Sequence, residues 1–214
     1  MPKVKPKRTY DSSLRKQQAN QTRMRILDAS QRVFAARGYA AGTVESIAAA
    51  AGVAVDTVYA AFGSKRGVLQ ALLNVRVGGD EAELDLLARA GPQAVQREPD
   101  QRAQLAAFAA DVSGIIERAR PVDDIIRGAA AVDAEIAALR SDLQAYRYGN
   151  MRQLVSWLAA KGPLRDGLTE DDAAAIMWTM TSPEVHGLLR VARGWSAERY
   201  STWLRDSLAR ILLP

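Results

Sequence analysis

Apolar residues along this chain recur at spacings of three and four and almost nowhere alternate, so the pattern predicts helices and no sheet. From Thr22 to Arg37, Ile26, Leu27, Val33 and Phe34 share one face, and Gly38 is placed to end the helix. Thr43 is placed to cap a second helix, with Glu45 in its first turn and Val44, Ile47, Ala48 and Ala51 as its buried stripe. Gly52 stops that helix after barely two turns. A third begins near Val55 and turns Val58, Tyr59 and Phe62 inward, and the linker "GVA" has the form of the glycine-containing turn in a helix-turn-helix. Ser64 then caps a fourth helix whose stripe is Val68, Leu69, Leu72 and Leu73.

The pattern continues to the end of the chain. Gly78 and Gly79 predict a break before a short fifth helix, and the prolines and charges of "GPQAVQREPDQR" predict a loop. Leu105, Phe108, Ala109, Val112, Ile115 and Ile116 mark a helix that Pro121 should end, opening another with Ile125, Ile126, Ala129 and Val132. A long helix runs from about Ile136 to Ala160. Thr169 precedes the next, and Glu170, Asp171 and Asp172 suit its first turn better than a metal site, because consecutive helical residues diverge around the axis. Ser182-Pro183-Glu184 predicts a kink or restart, Gly194 an end, and Ser196 the cap of a last helix with Tyr200, Trp203, Leu204, Leu208, Ile211 and Leu212 on one side.

Composition adds the partner. The chain has 48% hydrophobic residues, enough for a sizeable core, and a net charge of +5. That charge is uneven: residues 1–76 carry 13 Lys and Arg against 4 Asp and Glu, whereas residues 77–214 carry 16 against 20. A basic module on an acidic body points to a polyanion, either nucleic acid or an anionic membrane. Residues 1–20, with Lys3, Lys5, Lys7, Arg8, Arg15 and Lys16, are expected to form a flexible basic arm that neutralises phosphate, reaches a minor groove or merely solubilises the chain. No run of ~20 apolar residues and no apolar signal core is present, so a soluble cytoplasmic protein is expected. Without cysteine there are no disulfides or thiolate sites, and one histidine leaves few acid–base sets. No nucleophile elbow, phosphate loop or dinucleotide fingerprint occurs, so the chain reads as a binding protein without cofactor or metal rather than an enzyme.

The stretch "FGSKRGVL" holds the sharpest local clue. Lys65 and Arg66 fall in the first turn of the fourth helix, where the backbone dipole already disfavours cations, so an anion such as a DNA phosphate is expected across them. The outer side of the third helix offers small residues that could enter a major groove. Val55 and Ala60 could touch thymine methyls, Asp56 could accept from cytosine, and Thr57 could bond phosphate or base.

The run from Ile26 to Leu72, through "RGY", "TVESIAAAAGV", "TVYAAF" and "SKRGVL", resembles the DNA-binding domain of the tetracycline-repressor (TetR) family of bacterial transcription regulators. The resemblance implies an all-helical homodimer with a helix-turn-helix domain over residues 21–66 and a larger ligand-binding and dimerisation domain over 67–214. It further implies repression at a palindromic operator, relieved by a small molecule. By position, Thr43, Thr57, Tyr59 and Lys65 match places that contact phosphate, and Val55 and Asp56 match places near base edges. Two positions depart from the pattern: Ala54 stands where a serine cap is frequent, and Ala61 where a polar aromatic is. The family's interface region would include Val185, Leu188, Leu189, Tyr200, Trp203, Leu204, Leu208 and Ile211. An apolar or aromatic ligand would find adaptable side chains in Phe108, Tyr146, Met151, Trp157, Met177, Trp178 and Met180, with His186 as a polar partner or core residue.

Overall fold

The computed structural model describes residues 12–79 and 85–214. Within them the chain forms ten α-helices and no strand: α1 (Ser12–Ala41), α2 (Val44–Ala51), α3 (Val55–Phe62), α4 (Lys65–Gly78), α5 (Ala90–Arg97), α6 (Gln101–Ala130), α7 (Ala134–Ala159), α8 (Glu170–Met180), α9 (Pro183–His186) and α10 (Ala197–Leu212). A 3-10 turn at Leu86–Ala88 precedes α5, and a wide π-helical run, Gly187–Ala192, extends α9.

Two cores are strung on one long helix. The first gathers Ile26, Leu27 and Phe34 of α1, Ile47 of α2, Val58 of α3 and Leu69 and Leu72 of α4. It also takes in Val122 and Ile126 of α6 and Ile136 and Leu139 of α7. The second gathers Leu105 and Phe108 of α6, Met151 and Val155 of α7, Met177 of α8 and Tyr200, Leu204 and Leu208 of α10. Helix α6, 30 residues and so ~45 Å long, contributes its C-terminal half to the first core and its N-terminal half to the second. Helix α4 packs within the first core, and the α6–α7 corner contributes to it.

Several boundaries differ from the periodicity. Helix α1 begins at Ser12, so residues 12–20 of the expected arm are helical, while Lys3, Lys5, Lys7 and Arg8 lie outside the described residues. The segment read as a loop forms α5, with Pro92 in its first turn and Val95 buried. Pro121 lies inside α6 and ends nothing. Its missing N–H forfeits one backbone bond, yet Ile116, Ala119, Val122 and Ile126 keep one continuous stripe through it, and that packing holds the helix together. Val132 is on the exposed turn before α7 rather than on a buried face.

Candidate nucleic-acid interface

Each end of the α2–α3 pair is fixed by local chemistry. Thr43 Oγ1 accepts the Ser46 N–H at 3.2 Å while Ser46 Oγ accepts the Thr43 N–H at 3.1 Å, a reciprocal cap that leaves both residues at the surface. Gly52 ends α2 in the left-handed conformation (φ 66°), its N–H returning to the Ala48 and Ala49 carbonyls. The two helix axes then turn by 108°. Ala54 precedes α3 without a side-chain cap, and its carbonyl accepts the Thr57 N–H at 3.0 Å, closing the first turn.

Helix α3 buries Val58 and half-buries Phe62, and presents Ala54, Asp56 and Ala60 to solvent, with Val55 and Thr57 half-buried at its start. Tyr59, expected inward, is 46% exposed, because it precedes Ala60 on the outer face rather than following Val58 into the core. Its far end is clamped: Arg23 Nη1 donates to the Ala61 carbonyl at 2.7 Å and its guanidinium lies 4.4 Å from the Phe62 ring centroid. That clamp sets the early turns of α1, with exposed Lys16 and Arg25, beside the C-terminal end of α3.

The lysine at the head of α4 has a partner inside the chain. Ser64 Oγ caps α4 by accepting the Gly67 N–H at 3.0 Å, and Lys65 Nζ swings back to donate to the carbonyls of Tyr39 (2.9 Å) and Ala40 (3.4 Å), 4.2 Å from the Tyr39 ring centroid. These two carbonyls, just past the break that Gly38 makes in α1 (φ 73°), offset a cation that the N-terminus of α4 disfavours. Lys65→Ala is expected to lower unfolding stability by about 1–2 kcal/mol, the scale of a charged hydrogen bond that is only half-buried, as read in denaturant melts. Unchanged stability would show the tether to be incidental.

The residues expected around a ligand separate. Phe108, Met151 and Met177 are buried in the second core, where they fill space between α6, α7, α8 and α10. Trp157, Trp178 and Met180 are half-buried against it. Tyr146 is 49% exposed and donates its hydroxyl to Asp85 Oδ1 at 2.5 Å, pinning the turn before α5. His186 is 1% exposed, its Nε2 3.0 Å from Glu117 Oε2 and its ring edge-on to Tyr200. Two open clefts are present elsewhere. One, of about 360 Å³, is lined by Gly149, Arg152 and Ser156 of α7 with Glu170 and Asp171 of α8. The other, of about 460 Å³, is lined by Trp195, Arg199, Thr202 and Trp203.

The interface set also divides. Tyr200, Leu204 and Leu208 point into the chain's own core, because that face of α10 packs on α6. Val185, Leu189 and Trp203 are half-buried, and the residues turned outward are Leu188 (62% exposed), Ile211 and, missed by the sequence reading, Val191.

Burial pushes the pKa of His186 below its ordinary value, outweighing the pull of Glu117 towards the charged ring, with Arg120 and Arg190 adding to the depression. The unfolded chain binds this proton near pH 6.5 and the folded chain only below that, so stability from the neutral ring is full above about pH 6.5 and is lost as pH falls through the lower folded value. The melting temperature is expected to drop less between pH 7 and 5.5 in His186→Gln than in the parent chain. Parallel profiles would contradict the burial account.

Residues 26–72 match the sequence profile described as bacterial regulatory proteins, tetR family. Residues 26–72 are therefore a TetR-type DNA-binding module. A curated TetR-type relative, the HTH-type transcriptional regulator SrpR of Pseudomonas putida, is 46% identical over 59 residues, which is 28% of this chain and 28% of SrpR. The chain thus matches little more than a quarter of that relative's length. Solved structures extend the likeness to the whole fold. NalD, the secondary repressor of the MexAB-OprM multidrug efflux pump in Pseudomonas aeruginosa, superposes with a TM-score of 0.65 at 19% identity, over 91% of this chain and 98% of NalD. SmeT, solved in complex with triclosan, superposes with a TM-score of 0.66 at 21% identity, over 91% of this chain and 92% of SmeT. The TetR-like architecture, an N-terminal helix-turn-helix module on a larger helical body, accounts for the two cores. Among the described residues no single helix is long and apolar enough to cross a membrane, and no group of three or more His, Asp or Glu is placed to hold a metal ion.

Proposed function

We propose that this protein is a cytoplasmic transcriptional repressor that binds a palindromic operator as a homodimer and is released by a small molecule, and that it is not an enzyme. The observation that carries the reading is α3: a helix fixed at both ends, set across α2 at 108°, whose outward residues Asp56, Tyr59 and Ala60 are unoccupied by the rest of the chain. Ala54, Val55, Asp56 and Thr57 enter the major groove first, with small side chains that allow close approach. Thr43, Tyr59 and the first turns of α1 flank the groove and take phosphates. Lys65, bound to the α1 carbonyls, contributes charge more than a dedicated contact.

A dimer places two such helices ~34–36 Å apart, one turn of DNA. The outward residues Leu188, Val191 and Ile211 favour the α9–α10 region as the face between protomers.

Coupling to a ligand follows from the shared core and a polar latch. Arg76, in the last turn of α4, donates to Asp28 Oδ1 (2.7 Å) and Gln31 Oε1 (2.7 and 2.9 Å) of α1, while Arg118 of α6 donates to the Arg76 carbonyl at 3.2 Å. A shift of α6 in the body therefore moves α4 and the head with it, and a ligand that binds one α6 position better lowers DNA affinity by linkage. The reading is tested by fluorescence anisotropy with DNA from upstream of the chain's own gene against a scrambled duplex. A salt-resistant preference for the former supports it, and equal affinity for both refutes it.

A further inference from the structure

The C-terminal body carries hydrogen-bonding groups with nothing to bond. Arg147 of α7 donates Nη1 to Gln144 Oε1 at 2.8 Å and Nη2 to the Trp178 carbonyl, both neutral acceptors, and its Nε–H is buried without a partner. Among the described residues no carboxylate forms an ion pair with it. Glu184 is engaged by Arg140 at 2.9 Å, and Asp123 keeps Oδ2 buried and unbonded. The Arg147 guanidinium lies 5.0 Å from the ring centroid of Trp178, whose indole N–H is likewise buried without an acceptor. Burial draws the Arg147 pKa down against the opposing pull of Glu184 and Asp123, and pushes that of Asp123 up. A half-buried guanidinium hydrogen-bonded only to neutral oxygens, stacked on an indole whose N–H is unbonded, offers two buried donors to an anion.

We propose that Arg147 and Trp178 form the head-group site for the effector, and that the effector is a small monocarboxylate with an apolar body. Its carboxylate oxygens accept the Nε–H of Arg147 and the indole N–H of Trp178. Its apolar part is received by Met151 and Met177, flexible side chains of the adjoining core that can repack around a guest. Met151 Sδ stands 3.9 Å from Thr181 Oγ1, at the end of the helix that carries Trp178, which places these groups in one neighbourhood. This inference rests on the ligand-released reading and gives its ligand a chemical class.

The test is calorimetric titration of the full chain with benzoate, octanoate and 1-naphthoate, each against the primary amide and the amine of the same skeleton. At least one carboxylate is expected to bind about tenfold or more tightly than its amide, the discrimination of a charge-assisted donor pair. Arg147→Gln should bring that ratio to about one, and Trp178→Phe should lower it roughly threefold while the fold is kept. No carboxylate preferred over its amide, an amine preferred (which would give the site to Asp123), or a preference that survives Arg147→Gln would each overturn the proposal. Sequence-specific DNA binding without carboxylate preference discards this inference and leaves the repressor reading. Carboxylate preference without sequence-specific DNA binding does the reverse.

Discussion

Ala60→Glu is expected to weaken operator binding by roughly 100-fold or more while leaving the melting temperature nearly unchanged, since like charges set together cost several kcal/mol. Ala60 is exposed on the outer side of α3, and no neighbour within the chain depends on its methyl group. Glutamate is a good helix former, so the substitution should alter stability by no more than about 0.5 kcal/mol. In a major groove, however, its carboxylate would face phosphates and acceptor-rich base edges. Electrophoretic mobility shift and thermal melting on the same preparation separate the two effects. Retained binding would place the DNA-reading surface elsewhere on the head.

Gly67→Ala is expected to destabilise the head by about 3 kcal/mol, at the upper end of overpacking costs. A Cβ at this position would stand 2.0 Å from the Phe62 carbonyl oxygen. That oxygen is main chain and already accepts the Ser64 N–H at 2.9 Å, so no rotamer change can make room. Relief requires α3 to shift against α4, which would also displace the Ser64 cap and spoil the setting of α3. Urea unfolding should show the loss, and DNA affinity should fall with it. A change within about 0.5 kcal/mol would mean that the α3–α4 joint is looser than the geometry indicates.

The head was largely legible because its boundaries are written in local chemistry. Thr43, Gly52, Ser64 and the short "GVA" linker each act on backbone groups within a few residues, so spacing alone located α2, α3 and the start of α4. Ser182-Pro183 and Ser196 marked α9 and α10 for the same reason. Where partners are distant the sequence was silent. Apolar spacing shows that one face of α10 is buried but not against what, so Tyr200, Leu204 and Leu208 were assigned to a partner subunit when they pack on α6. The answering group for Lys65 is a pair of carbonyls 25 and 26 residues earlier, and His186 meets Glu117 across 69 residues. Pro121 misled because a lost backbone bond is local, whereas the packing that outweighs it draws on both cores.

The measurement that reaches the central claim most directly is anisotropy titration of labelled DNA from upstream of the gene, against a scrambled duplex of equal length, from low to moderate salt, with the parent chain and Ala60→Glu side by side. The parent chain is expected to prefer the native duplex at moderate salt, while the variant retains at most weak, salt-sensitive binding to both. Equal binding of the two duplexes by the parent chain, or an undiminished preference in the variant, would contradict the assignment of α3 as the DNA-reading helix.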